Sequence, residues 1–414
     1  MNDKWYELDN AAKIFPPTTT YYDPKIFRFS VLLSENVNKL NLEKALNLTL
    51  DDFPIFKSVL KKGLFWYYLE TSDIKININE EKTSPCEKLS SPLLFEVSYF
   101  NNKINLEVYH ALSDGSGCIT FFRVLIYNYL KINYNIKEKD ILNKSSEYEK
   151  ESDSFKKYYN PKEKIKIPSR KNAYQFRGSW YPEGKIKIIS GITSTKRLKE
   201  LAKINNTTIT GFLIAVLIKS IGEEMNYKDK NLPISITVPV DLRNHFESNT
   251  VRNFFNVTNI NYNFNNSDKL EDIIIEVNKA LKNNLTEEAI KSKMNRTIFA
   301  ENFFLIRLIP LFMKNIVLKH IYKSTRKKQT MGLSNVGIIK MPESVKNYIN
   351  SIFVFNSTDA KELCICSYED RISFNFSTHF LNNETEKNFF RLLSLYELDI
   401  EIFTNEIYGV DNYE

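Results

Sequence analysis

The chain has 414 residues, 43% of them hydrophobic, enough for a large buried core and, by length, for two or three domains. Its 57 Lys and Arg stand against 50 Asp and Glu, a net charge of +7 spread along the sequence, so no dense basic stripe marks a nucleic-acid face. Four cysteines without Cys-x-x-Cys spacing (Cys86, Cys118, Cys364 and Cys366) and a polar first ten residues predict reduced thiols, no metal site, no secretion signal and a cytoplasmic location.

Taken in order, Phe27 to Leu33 predicts a strand, and Leu42, Ala45, Leu46 and Thr49 fall at helical spacing over Asn41 to Asp52, a helix ended by Phe53-Pro54. Leu64 to Leu69 and Leu93 to Tyr99 predict further strands, and Asn101-Asn102 a turn into the next one. There Ile104, Leu106, Val108 and His110 share one parity and Asn105, Glu107 and Tyr109 the other, which points the His110 imidazole at a buried apolar face. Asp114-Gly115-Ser116 then reads as a turn and helix start, with Ser116 as N-cap and Ile119, Phe122, Ile126 and Tyr129 along one helical side. A lone buried His is ordinarily a hydrogen-bonded core residue. A base, a carboxylate and a glycine at this spacing change that expectation.

His110-x-x-x-Asp114-Gly115 resembles the signature of the acyltransferase superfamily that holds chloramphenicol acetyltransferase, peptide-synthetase condensation domains, plant acyl-CoA-dependent acyltransferases and bacterial alcohol acetyltransferases, and the last are the nearest in kind. Many members carry a second His before the catalytic one; Tyr109 stands there, a departure that leaves the base in place. The order of a leading strand, a helix ending in Phe-Pro, the aromatic Leu64 to Tyr68 stretch and the histidine strand is similar to the N-terminal half of that superfamily. The resemblance implies an α/β (α+β) fold of two chloramphenicol-acetyltransferase-like subdomains, each a mixed sheet packed with helices, with an active-site tunnel between them.

Residues 133–172 turn polar and charged, as a crossover linker on a solvated surface, which divides the chain into an N-terminal half (1–172) and a C-terminal half (173–414). Beyond it, Lys185 to Ile189 predicts a strand, Ser194 or Thr195 caps a helix through Lys203, and Thr208 to Met225 is a strongly apolar helix. Pro233 to Val240 alternates as a strand into Asp241-Leu242-Arg243-Asn244, and Arg252 to Asn256 opens another. In related enzymes an Arg after such a strand pairs with the Asp of the motif; Arg243 is the best match and Arg252 the second. That resemblance makes Gly115 and Arg243 structural support for His110 and Asp114.

Ser267 to Leu285 and Phe299 to Ile321 predict helices, the second too interrupted by Arg307, Pro310, Lys314 and Lys319 to be a membrane span, although a peripheral membrane contact stays open. Lys323, Arg326 and Lys327 belong to a basic cluster that either meets the phosphates of coenzyme A or ends a solvated helix. Gly332 to Gly337 either is a plain turn or, by resemblance to a Ser-Asn-x-Gly stretch near the acyl tunnel, offers Ser334 or Asn335 to an oxyanion. Strands over 352–355, 363–368 and 372–378 and a helix over 383–395 close the chain, with His245, His320 and His379 structural.

The function so implied is acyl-CoA-dependent O-acyltransfer: an acetyl or short-chain group passes from a coenzyme A thioester to an alcohol, with His110 as general base, Asp114 holding the turn, and no acyl-enzyme. The thioester is a co-substrate, no cofactor is permanently bound, and the partners are acyl-CoA and a small alcohol or amine acting on a monomer. Two alternatives are a stand-alone condensation enzyme that takes its acyl group from a carrier protein, forming an amide or ester, and a non-catalytic member that binds acyl chains or a protein partner.

Overall fold

In the computed structural model, which describes residues 4–405 apart from 83, 139, 141, 143–144, 163–170 and 303–306, the strand leading to His110 (Lys103–Tyr109) lies inside a five-stranded sheet. It runs antiparallel to Ile26–Leu33 on one side and to Phe95–Phe100 on the other. Both of its faces are covered, which corrects the expected alternation of one buried and one polar face: Asn105, Glu107 and Tyr109 are buried along with Ile104, Leu106 and Val108. Buried polar groups need partners. Glu107 accepts from Arg28 Nε at 2.9 Å, and Asn105 Oδ1 accepts from Ser30 Oγ at 2.7 Å.

Helices Lys39–Asp52 and Gly115–Asn133 share one hydrophobic core with this sheet. The first starts two residues before its predicted position because Asn38 caps it, accepting from the Asn41 N–H at 3.1 Å. Leu64, Phe65 and Trp66 were expected in a strand and instead form the turn between strands Ser58–Lys62 and Tyr67–Thr71, closed where the Gly63 N–H donates to the Trp66 carbonyl at 3.0 Å.

The second sheet has seven strands, in the order Phe255–Tyr262, Ile234–Asp241, Met331–Ile338, Lys361–Tyr368, Arg371–Thr378, Lys187–Ser194 and Glu401–Thr404. Met331–Ile338 pairs parallel with both neighbours while the remaining pairs are antiparallel, so the sheet is mixed. Helix Ile209–Glu224, apolar around most of its circumference and capped by Thr208, is buried at the centre of the second core. Strand Ile349–Asn356 returns from this half to pair with Ile26–Leu33 at the edge of the first sheet. The two halves are thereby joined through backbone hydrogen bonds.

The described residues of the charged crossover carry more structure than a solvated linker would. They form helices Glu147–Glu151 and Ser154–Tyr158, while residues 139, 141, 143–144 and 163–170 of the expected linker lie outside the described residues. Glu151 is buried and accepts from the Tyr6 hydroxyl at 2.9 Å, and Phe155 enters a third, smaller core with Leu242 and Phe254. Residues 303–306 of the apolar run also lie outside the described residues; beyond them Leu311–Arg326 is a helix. Among the described residues no single helix is long and apolar enough to cross a membrane. All four cysteines are buried and unpaired.

The second sheet is locked to helix Glu384–Leu395 by Lys361 and Glu386, 2.7 Å apart with both side chains 1% exposed. Removing one member of such a pair leaves the other charge buried. Lys361→Met is expected to lower unfolding free energy by about 3–5 kcal/mol, read by urea denaturation.

Candidate active site

The turn after His110 is built around Asp114, whose carboxylate uses both oxygens. Oδ1 accepts from the Gly117 N–H at 2.8 Å, making Asp114 the N-cap of helix Gly115–Asn133. This corrects the expectation for Ser116, whose Oγ instead donates to Asp241 Oδ2 at 2.7 Å. Oδ2 accepts from the Phe254 N–H at 2.7 Å and from Arg243 Nη1 at 2.9 Å, so the structure brings Asp114 and Arg243 together. The same guanidinium donates to the carbonyls of Thr250 and Arg252, fastening residues 250–254 against the turn.

Close approach at this junction falls on Gly117, where a Cβ would stand 2.1 Å from the Val251 carbonyl oxygen. A Cβ on Gly115 would meet nothing within 4 Å, and Gly115 lines a cavity, so that residue provides room where support was expected. Arg252 does not reach Asp114. Its Nε lies 3.8 Å from the buried Asp9 carboxylate.

His110 follows the last residue of its strand, and its N–H donates to the Lys25 carbonyl at 2.8 Å. The ring stacks on Phe15 at 4.4 Å and meets Phe27 edge-on at 5.0 Å. Burial lowers its pKa below the ordinary 6.5, the Asp114 charge opposing, so the neutral imidazole is the resting form at neutral pH. Nδ1 lies 3.1 Å from Asn253 Oδ1, and Asn253 Nδ2 donates to Asp9 Oδ2 at 3.2 Å. With its amide hydrogen committed to Asp9, Asn253 presents an acceptor to the ring: Nδ1 carries the proton and Nε2 keeps a free lone pair. Among the described residues Nε2 has no protein partner. Burial pushes the Asp9 carboxyl up to about 6, with Arg252 opposing, and Asp9 also accepts from the Ala12 N–H at 2.8 Å.

Asn253 and Asp9 were not singled out by the sequence. Asn253 lay in a stretch read only as the opening of a strand, and Asp9 stands 244 residues away from it, in a polar N-terminus without periodicity. The one available signal was the neighbourhood of Asn253 to the Arg243 landmark.

Two cavities meet at His110, the single lining residue they share. The larger, about 710 Å³, is lined by Gly115, Thr208, Asn244, Phe255, Ser334 and Asn335 among others. The smaller, about 190 Å³, includes Lys25, Tyr322, Arg326, Gly332 and Glu362. Gly332 and Ser334 share a parity on strand Met331–Ile338, so one strand contributes to both cavities while Leu333 between them enters the core. A Cβ on Gly332 would stand 1.9 Å from Glu362 Oε1; burial pushes that carboxyl up to about 7.

The Gly332 to Gly337 stretch, for which a plain turn was one reading, is a strand with a bulge between Asn335 and Gly337. The Asn335 amide is occupied at both ends, donating to Thr210 Oγ1 and accepting from the Gly337 N–H, each at 2.9 Å. Ser334 Oγ has no partner among the described residues. Of the basic cluster, Arg326 reaches the small cavity and is held by Asp359 at 2.9 Å, whereas Lys323 and Lys327 are exposed. His379 is structural, its two ring nitrogens lying against the carbonyls of Lys185 and Tyr22.

No protein-family model and no curated protein matches this sequence. Solved structures do match over nearly the whole chain. TRI101 of F. sporotrichioides, solved with coenzyme A and T-2, is 11% identical with a TM-score of 0.65, covering 96% of this chain and 99% of its own. TRI3, a trichothecene 15-O-acetyltransferase from Fusarium sporotrichioides, is 12% identical with a TM-score of 0.61, covering 95% of each chain. The epimerization domain from the third module of tyrocidine synthetase B is 10% identical with a TM-score of 0.60, covering 95% of this chain and 96% of its own. The fold expected from the sequence, two packed subdomains of mixed sheet and helix, is the fold shared with these proteins.

The His110 ring is expected to titrate below 6.5 when followed by NMR through its ring proton. Asn253→Asp would set a negative charge against Nδ1–H, favouring the imidazolium and moving that midpoint upward. An unchanged midpoint in Asn253→Asp would count against the Asn253 contact.

Proposed function

We propose that this protein transfers an acyl group from a coenzyme A thioester to a hydroxyl, with His110 as general base. The observation that carries the reading is a neutral imidazole that lines two cavities at once, which supports assigning one cavity to each substrate. The thioester approaches through the small cavity, where Arg326 on the wall meets the nucleotide phosphates. The acceptor, a small alcohol or amine, occupies the larger cavity.

In the transfer, Nε2 takes the proton from the acceptor hydroxyl as its oxygen bonds to the thioester carbon. Negative charge gathers on the carbonyl oxygen, and Ser334, whose hydroxyl is uncommitted, donates to it; the Asn335 amide is engaged in holding the bulge. The carbon–sulfur bond then breaks, the imidazolium returns its proton to the departing thiolate, and an ester and a free thiol result. Asp114 holds the turn through Arg243, and its hydrogen bonds go to Gly117, Phe254 and Arg243 and not to the ring.

Release of free thiol from acetyl-CoA with a panel of alcohols and amines tests the reading. His110→Ala is expected to lower turnover by roughly 10²–10⁴, and Ser334→Ala by roughly 10²–10³. The acidic limb of kcat/KM is expected at a midpoint below 6.5, because burial keeps the base neutral into mild acid. Transfer from a loaded carrier protein without any from coenzyme A thioesters would replace this reading with that of a condensation enzyme. No transfer from either donor would leave a binding protein.

A further inference from the structure

Helix Leu311–Arg326 has its chemistry turned inside out. A surface helix of a water-soluble fold buries its apolar stripe and exposes its charges. Here Lys314 is 4% exposed, its ammonium donating to the Phe65 carbonyl at 3.0 Å and lying 3.7 Å over the Trp66 ring. Phe312, Met313, Ile316, Val317 and Ile321 face outward, each between 46 and 62% exposed. Leu64 extends the patch at the helix start, where its carbonyl accepts from the Leu311 N–H at 2.9 Å, and it is 72% exposed. A contiguous apolar face of this kind marks a surface that something apolar covers.

The charge around that face says what covers it. Between Glu301 and Glu343 the sequence holds eight Lys and Arg and no Asp or Glu. Lys319, Lys323 and Lys327 are exposed toward the C-terminal end of the apolar face, with no ion pair among the described residues. Large aliphatic and aromatic side chains flanked by cations on one side of a helix match the interface of an anionic bilayer, where the apolar groups enter the acyl boundary and the ammonium groups meet lipid phosphates and carboxylates. We propose that this face docks the protein, in a peripheral manner, on anionic lipid membranes.

The docking has a geometric consequence for the site. Tyr322 and Arg326, on the inward side of the same helix, line the small cavity at His110. A bound bilayer would therefore lie about one helix diameter, ~10 Å, from that cavity. Docking is measured without turnover, so it stands or falls apart from the acyl-transfer reading.

The test is flotation of the whole protein with vesicles of phosphatidylcholine alone or of phosphatidylcholine with phosphatidylserine. Wild type is expected to float with the anionic vesicles, weakly with the neutral ones, and less as salt rises. Phe312→Gln/Ile316→Gln/Val317→Gln is expected to lower partitioning on the order of tenfold or more. Its thermal unfolding should match wild type, because the three side chains point away from the core. Failure of wild type to float with anionic vesicles at low salt would overturn the proposal, as would equal flotation of the triple variant. So would a dimer in solution that the triple variant dissolves, or an acidic carrier protein that binds this face when vesicles do not.

Discussion

The carboxylate of Asp114 and the guanidinium of Arg243 meet at 2.9 Å inside the junction of the two halves, and the position of the candidate base follows from that pair. One oxygen of Asp114 caps a nineteen-residue helix, and the other receives both Arg243 and the Phe254 backbone. Arg243 in turn gathers the carbonyls of Thr250 and Arg252. The segment so fastened carries Asn253, which reaches His110. A buried pair of this sort adds little net stability, since desolvation offsets most of the attraction. What it supplies is register: two segments more than a hundred residues apart in sequence are held close enough for one amide to meet one ring.

A histidine closed in by Phe15, Phe27 and Phe255 cannot easily carry a charge, and burial is the main reason its pKa falls. The Asp9 to Asn253 to His110 chain adds direction to that neutrality, because an amide that donates to a carboxylate must offer its oxygen to the imidazole. A neutral ring with its lone pair on the remaining nitrogen is suited to taking a proton and poorly suited to stabilising an anion. The division of labour between His110 and Ser334 in the proposed reaction follows from this, with one accepting and the other donating.

Helix Leu311–Arg326 joins the interior to the surface. Its inward side contributes Tyr322 and Arg326 to a cavity at His110, and its outward side is the most conspicuously apolar exposed helix face in the described residues. The buried Lys314 explains how such a helix is tolerated: its ammonium is satisfied by two carbonyls and an aromatic ring, so the inward side can be polar without an orphaned charge.

The sequence by itself determined most of the elements and the candidate base. Alternation and helical spacing located strands 26–33 and 234–241 and helices 39–52, 195–204 and 209–224 to within a few residues, because local periodicity and capping residues fix such elements. The spacing of His110, Asp114 and Gly115 drew attention to the turn in which Asp114 meets Arg243. Sequence reading went astray where the decisive contact is distant. The polar side chains of the His110 strand are buried because partners distant in the chain meet them, Arg28 and the Cys86 N–H at Glu107 and Ser30 at Asn105, a fact its own alternation does not contain. Asp114 rather than Ser116 caps the helix because Arg243 and Phe254 hold its carboxylate in place. Only the tertiary structure decided that Asn253 and Asp9 orient the ring, that two cavities meet there, and that an apolar helix face points to solvent. Each depends on which segments pack together, and packing brings together residues that share no local pattern.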